Sequence, residues 1–86
     1  MDSVKITLAI GKMQEYNDHI TDWEDGELDV CHQALNELKE AGSLDKGTAF
    51  DLATVLNKSW QLVEDEMGDG EVLDEAVKSL RNVVLG

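Results

Sequence analysis

The chain has 86 residues, with seven Lys plus Arg against 19 Asp plus Glu and a net charge of −12 with neutral histidines. A chain of this length forms one domain and buries only about 60 to 65% of its unfolded surface, so a large enclosed active site is not expected. The charge repels free nucleic acid and anionic membrane alike, which removes both as direct partners.

An apolar content of 42% suffices for a core, and no apolar run reaches 18 residues, so no membrane span is predicted. Met1-Asp2-Ser3 lacks the basic flank of a signal peptide, and the single cysteine, Cys31, excludes an intrachain disulfide. Both point to a cytoplasmic protein. Strong acidity by itself serves solubility, so its meaning depends on where the acids fall.

The predicted first helix spans about residues 3–20. Ile6, Ala9, Met13, Tyr16 and Ile20 recur at steps of three and four, which places them on one helical face. Asp2 or Ser3 can cap it, and Gly11 weakens it by roughly 1 kcal/mol relative to Ala. Val4, Ile6, Leu8 and Ile10 also alternate as in a strand, but no other segment could pair with such a strand, so helix is favoured. The second helix, about 22–41, carries Leu28, Cys31, Leu35 and Leu38 and ends at Gly42. Thr21 with Glu24 fits a capping box at its start, and Asp25 fits a later cap. Residues 42–47 read as a loop, with Thr48 as cap of a third helix over about 48–67. There Ala49, Leu52 or Ala53, Leu56, Trp60, Val63 and Met67 hold helical spacing, and Gly68 closes the run. The fourth helix, about 70–85, follows Asp69 and places Leu73, Ala76, Leu80 and Val83 on one face, widened by Val77 and Val84.

Four helices joined by short connections predict an all-α, up-down-up-down four-helix bundle. A slide of 44 residues matches five of the twenty positions 8–27, including Leu8 with Leu52, Ala9 with Ala53 and Asp25-Gly26-Glu27 with Asp69-Gly70-Glu71, and it sets Tyr16 opposite Trp60. The bundle is then readable as two similar αα-hairpins, each too small to bury its own face. The topology brings the bends around Gly26 and Gly70 to one end. Two acid blocks collect there: Asp18, Asp22, Glu24, Asp25, Glu27 and Asp29, then Glu64, Asp65, Glu66, Asp69, Glu71, Asp74 and Glu75. Lys5, Lys39, Lys46 and Arg81, with Glu40 and Asp45, fall at the other end.

Asp-Gly-Glu at these bends suggests the middle of a calcium loop, but the ligand positions fail. With Gly26 as the sixth residue, Thr21 and Trp23 stand where the first and third ligands belong and His32 stands at the twelfth. With Gly70 as the sixth, Met67 and Ala76 occupy the third and twelfth. Adjacent Cys31 and His32 diverge on a helix and have no second pair to complete a zinc site, so no metal and no cofactor are expected. Cys31 reads as a small core residue, and His19 and His32 as solvent-facing. Ser43 has no His and Asp arrangement behind it, and exposed carboxylates lack the pocket that raises a catalytic pKa, so no catalytic residue is assigned and no enzyme is expected.

Ser43-Leu44-Asp45, opening a helix in a small acidic four-helix chain, resembles the acyl carrier proteins, in which that serine carries phosphopantetheine. The resemblance implies modification at Ser43 and covers three or four residues. Gly42 stands where that family has Asp, and a helix precedes the serine in place of the usual long loop.

Tyr16 and Trp60 sit on helical stripes and read as core. Trp23 sits inside the first acid block, where it either staples the tip or anchors a partner. A pole dense in carboxylates near two helix starts resembles a phosphate backbone in charge and fits the basic groove of a nucleic-acid-handling protein. By size and charge the chain resembles phage-encoded inhibitors of host defence or transcription, such as anti-restriction and anti-CRISPR proteins. The expected binding residues are Asp22, Trp23, Glu24, Asp25, Glu27, Asp29, Glu64, Asp65, Glu66, Asp69 and Glu71. An acidic helical structural module, compatible with a homodimer, is the alternative.

Overall fold

The computed structural model describes residues 3–19 and 25–86, and the side chains of all of these except 17–19, 25, 27 and 28. They form four helices: α1, Ser3–His19; α2, Asp25–Ala41; α3, Lys46–Met67; and α4, Gly70–Leu85. The result is a small all-α four-helix bundle, with no strand among the described residues.

Connections of two and four residues leave successive helices little choice but to fold back on each other. α3 and α4 share the most extensive interface, α1 packs chiefly on α4, and α2 leans on α3. Of the helices that meet, α1 and α2 share the smallest interface, and the backbones of α2 and α4 do not come close among the described residues. Lys5 pairs with Glu75 and Lys12 with Asp69, so α1 and α4 run antiparallel, as an up-down-up-down order requires.

The apolar stripes account for the core. α1 buries Ile6, Ala9, Ile10, Met13 and Tyr16, while Val4 and Leu8, the other members of the strand-like alternation, face solvent. α2 buries Cys31 and Ala34, with Val30, Leu35 and Leu38 half-covered at its margin. α3 contributes Ala49, Leu52, Val55, Leu56 and Val63, and α4 contributes Leu73, Ala76, Val77 and Leu80. Cys31 is thus a buried thiol, as its place on the stripe predicts.

Three expectations need correction. Trp60 is 40% exposed, not core. Ser59, 3% exposed, takes the inward place between Leu56 and Val63. Thr48 is not the cap of α3. Asp45 is, with extended φ and ψ of −62° and 148° and a carboxylate that accepts the Gly47 N–H at 3.1 Å. Thr48 is buried instead and donates its hydroxyl to Glu37 at 2.6 Å. Finally, Lys5 does not lie at the far end with Arg81. α1 is displaced towards the α3–α4 bend, so Lys5 reaches Glu75, early in α4.

The α2–α3 connection is built rather than slack. Gly42 adopts a left-handed φ of 70° and returns its N–H to the Leu38 carbonyl at 3.0 Å, closing α2. Leu44 then drops its side chain into the core. Glu37 gathers the Thr48 hydroxyl, the Asp45 N–H at 2.9 Å and the Gln33 amide at 3.2 Å, tying the end of α2 to the start of α3. These donors, Thr48 foremost, hold its carboxyl below the ordinary 4.5.

Candidate partner-binding pole

The α3–α4 bend can be followed residue by residue. Gly68, at φ 72°, closes α3 by donating to the Glu64 carbonyl at 2.9 Å. Asp69 follows with φ −108°, and its carbonyl accepts the Val72 N–H at 3.1 Å as α4 begins. Asp69 caps α4 by position only, making no side-chain cap bond. That role passes to Glu64, whose carboxylate crosses from α3 to accept the Gly70 N–H at 2.8 Å. A carboxylate here meets the positive end of the α4 dipole.

The crossing is tight. A Cβ on Gly70 would lie 2.7 Å from the Glu64 Cβ and 3.1 Å from the Trp60 carbonyl oxygen, closer than packed atoms approach. Gly70 is therefore a packing requirement, not a conformational one.

Of the predicted binding residues in the second block, the structure separates two kinds. Glu64 and Asp69 serve the fold: Glu64 caps α4, and Asp69 pairs with Lys12 at 3.3 Å. Lys12 also reaches Glu15 at 3.6 Å, and its ammonium is held above the usual lysine value of 10.5, chiefly by the hydrogen bond to Asp69. Asp65, Glu66 and Glu71 are exposed, Asp65 accepting only from the Gln61 amide one turn back, at 3.0 Å. Asp74 pairs with Lys78 at 3.3 Å within α4, and Glu75 pairs with Lys5 at 3.2 Å. Both are exposed pairs, worth at most about 1 kcal/mol and weakened by salt.

In the first block, Asp22, Trp23 and Glu24 lie outside the described residues, as does Ile20. Asp25 and Glu27 open α2, but their side chains also lie outside what is described, as do those of Asp18, His19 and Leu28. Asp29 is exposed, and so is His32. The second half of α1 stands beside the α3–α4 bend, since Lys12 touches Asp69. The end of α1 and the α3–α4 bend therefore lie on the same side of the bundle.

The lysines reaching into the second block are what sequence reasoning missed. No Lys or Arg interrupts that block along the chain, but Lys5 and Lys12 are seven residues apart and so share one flank of α1. That spacing was a legible signal. The acids it would meet depended on how far α1 slides along α4.

Trp60 is the other unforeseen feature. With Gly70, Glu71 and Asp74 it lines a shallow depression of about 300 Å³ at the start of α4. An exposed indole therefore stands among carboxylates of the second block, as Trp23 is expected to stand among those of the first.

Around Gly70, α3 runs unbroken to Met67 and α4 starts at Gly70, so the would-be calcium loop from residue 65 to 76 is nearly all helix. Among the described residues no three His, Cys, Asp or Glu side chains are grouped to hold a metal ion, and no helix is long and apolar enough to cross a membrane. Ser43 is exposed in the α2–α3 connection, directly before buried Leu44 and capping Asp45. No family model, curated protein or solved structure matches the chain.

Proposed function

We propose that this protein binds the basic, nucleic-acid-contacting surface of a partner protein and blocks it, in the manner of phage-encoded inhibitors of host defence or transcription such as anti-CRISPR or anti-restriction proteins. The observation that carries this reading is the exposed set Asp65, Glu66 and Glu71 at the α3–α4 bend, beside exposed Trp60, on a chain of net charge −12. Such a surface attracts cationic partners through long-range steering, and a half-exposed indole among acids adds stacking and cation–π contact with Arg or Lys. Glu64 and Asp69, though predicted as binding residues, act in this reading by setting the geometry of the bend. In this reading Asp22, Trp23, Glu24, Asp25, Glu27 and Asp29 of the first block are further contact residues.

The test is charge reversal that spares the fold. Asp65, Glu66 and Glu71 changed together to Lys should weaken capture of a basic partner from lysate by at least about tenfold, and wild-type capture should fall steeply with salt and with added competitor DNA. Capture that is unchanged by the triple reversal and indifferent to salt would overturn the proposal.

A further inference from the structure

Among the described residues, α2 is the helix that the core holds least. Its buried side chains are Cys31 and Ala34, both small, whereas α1 buries Ile6, Ile10, Met13 and Tyr16 and α4 buries Leu73, Val77 and Leu80. Val30, Leu35 and Leu38 reach the core only at its margin. Leu28, whose side chain lies outside the described residues, adds at most one more apolar anchor. α2 also shares less interface with its neighbours than any other helix does, while α1 and α4 are tied in addition by Lys5 to Glu75 and Lys12 to Asp69. Segments with few buried apolar contacts open at a lower free energy than the whole domain.

The way α2 is fastened is also particular. The chain leaves the helix at Gly42, with its left-handed φ of 70°, and is pinned again at Leu44, which is buried, and at Asp45, which caps α3. Gly42 and Ser43, both exposed, are thus a short joint between α2 and the rest of the bundle. Glu37 reaches across that joint to the Thr48 hydroxyl at 2.6 Å and the Asp45 N–H at 2.9 Å, and Gln33 donates to the same hydroxyl at 3.3 Å. A single carboxylate therefore clasps the last turns of α2 to the start of α3.

We propose that α2 opens as a unit on the Gly42–Ser43 joint while α1, α3 and α4 stay packed, and that the Glu37 clasp sets how often it does so. A 17-residue helix without its packing partner is marginal in water, so the amides of α2 lose protection together. The opening uncovers Cys31 and Ala34. It also moves Asp25, Glu27 and Asp29, which belong to α2, relative to the acids of the α3–α4 bend. The inference does not depend on the function proposed for that bend.

Cys31 reports the motion, because its side chain is 0% exposed and a disulfide reagent reaches the sulfur only through an opening. Labelling of the full chain with 5,5′-dithiobis(2-nitrobenzoate) is followed by the coloured thiolate released, and amide hydrogen exchange reports the other helices. In the wild type, Cys31 and the amides of Val30 and Ala34 should share one opening, at least about tenfold more populated than the opening that exposes Leu56 and Leu80, and less sensitive to urea. Glu37→Gln should speed Cys31 labelling about fivefold. Val77→Ala, on a helix whose backbone does not come near α2, should speed exchange at Leu56 and Leu80 by at least about fivefold and leave Cys31 labelling unchanged, because the opened form keeps that packing. A single opening shared by Cys31, Leu56 and Leu80, equal acceleration of all three by Val77→Ala, or Cys31 labelling indifferent to Glu37→Gln would each overturn the proposal.

Discussion

The two Asp-Gly-Glu segments look alike in sequence and differ in their surroundings. At Gly70 a Cβ would collide with the Glu64 Cβ and crowd the Trp60 carbonyl, whereas at Gly26 none of the described residues comes within 4 Å. Their flanking helices differ in the same way. Tyr16 is 2% exposed and its counterpart Trp60 is 40% exposed, while Leu8 faces solvent and its counterpart Leu52 is fully buried. Among the described residues α3 and α4 share the most extensive interface and α1 and α2 one of the least. Similar sequence at the bends therefore does not make equivalent hairpins, because each helix turns its apolar face to whichever neighbour covers it.

The sharpest way to break this comparison is to truncate the two aromatic counterparts. Tyr16→Ala should cost about 3–5 kcal/mol in urea unfolding, a large share of the total stability of a domain this size. Trp60→Ala should cost less, about 1–2.5 kcal/mol, since 40% of its surface is already in water. Equal losses would mean that the hairpins are equivalent after all. The glycines come next. Gly70→Ala should destabilise by about 1–3 kcal/mol through overpacking, whereas Gly26→Ala, uncrowded by any of the described residues at the start of α2, should be neutral or stabilising by up to about 1 kcal/mol.

A smaller effect separates the built α2–α3 connection from the bends. Glu37→Gln should cost about 1 kcal/mol by weakening its bonds from Thr48, Asp45 and Gln33. Because the carboxyl is held below its ordinary 4.5, its contribution is complete above that pH and disappears as pH falls through the depressed folded value. Thermal melts between pH 6 and pH 2 should therefore show wild type and Glu37→Gln converging in acid. Lys12 carries the opposite sign. Its raised value means that its pairing with Asp69 and Glu15 is intact below the usual 10.5 and lost as pH climbs through the folded value, so Lys12→Met should narrow the alkaline loss of stability. Smallest is Gly11→Ala, in an exposed and uncrowded helical position, which should stabilise by about 0.5–1 kcal/mol.

Helix number, helix limits within a few residues and most of the core were readable from the chain. Ile6, Ala9, Met13, Leu52, Leu56, Leu73 and Leu80 announce themselves by spacing alone, because a helix repeats every 3.6 residues whatever it packs against. The glycine stops at Gly42 and Gly68 were equally legible, since a left-handed residue is needed to end each helix. Spacing is periodic, however, and a period leaves open which of two adjacent positions points inward. Ser59 or Trp60, and Thr48 as cap or as buried donor to Glu37, depended on the closeness and rotation of the neighbouring helix. The same holds for the acids. Their clustering along the chain was plain, but only the position of α1 along α4 determined that Asp69 and Glu75 meet Lys12 and Lys5. Local spacing is a property of the chain. Slide, rotation and closeness between helices come from the mutual fit of side chains that lie far apart in it.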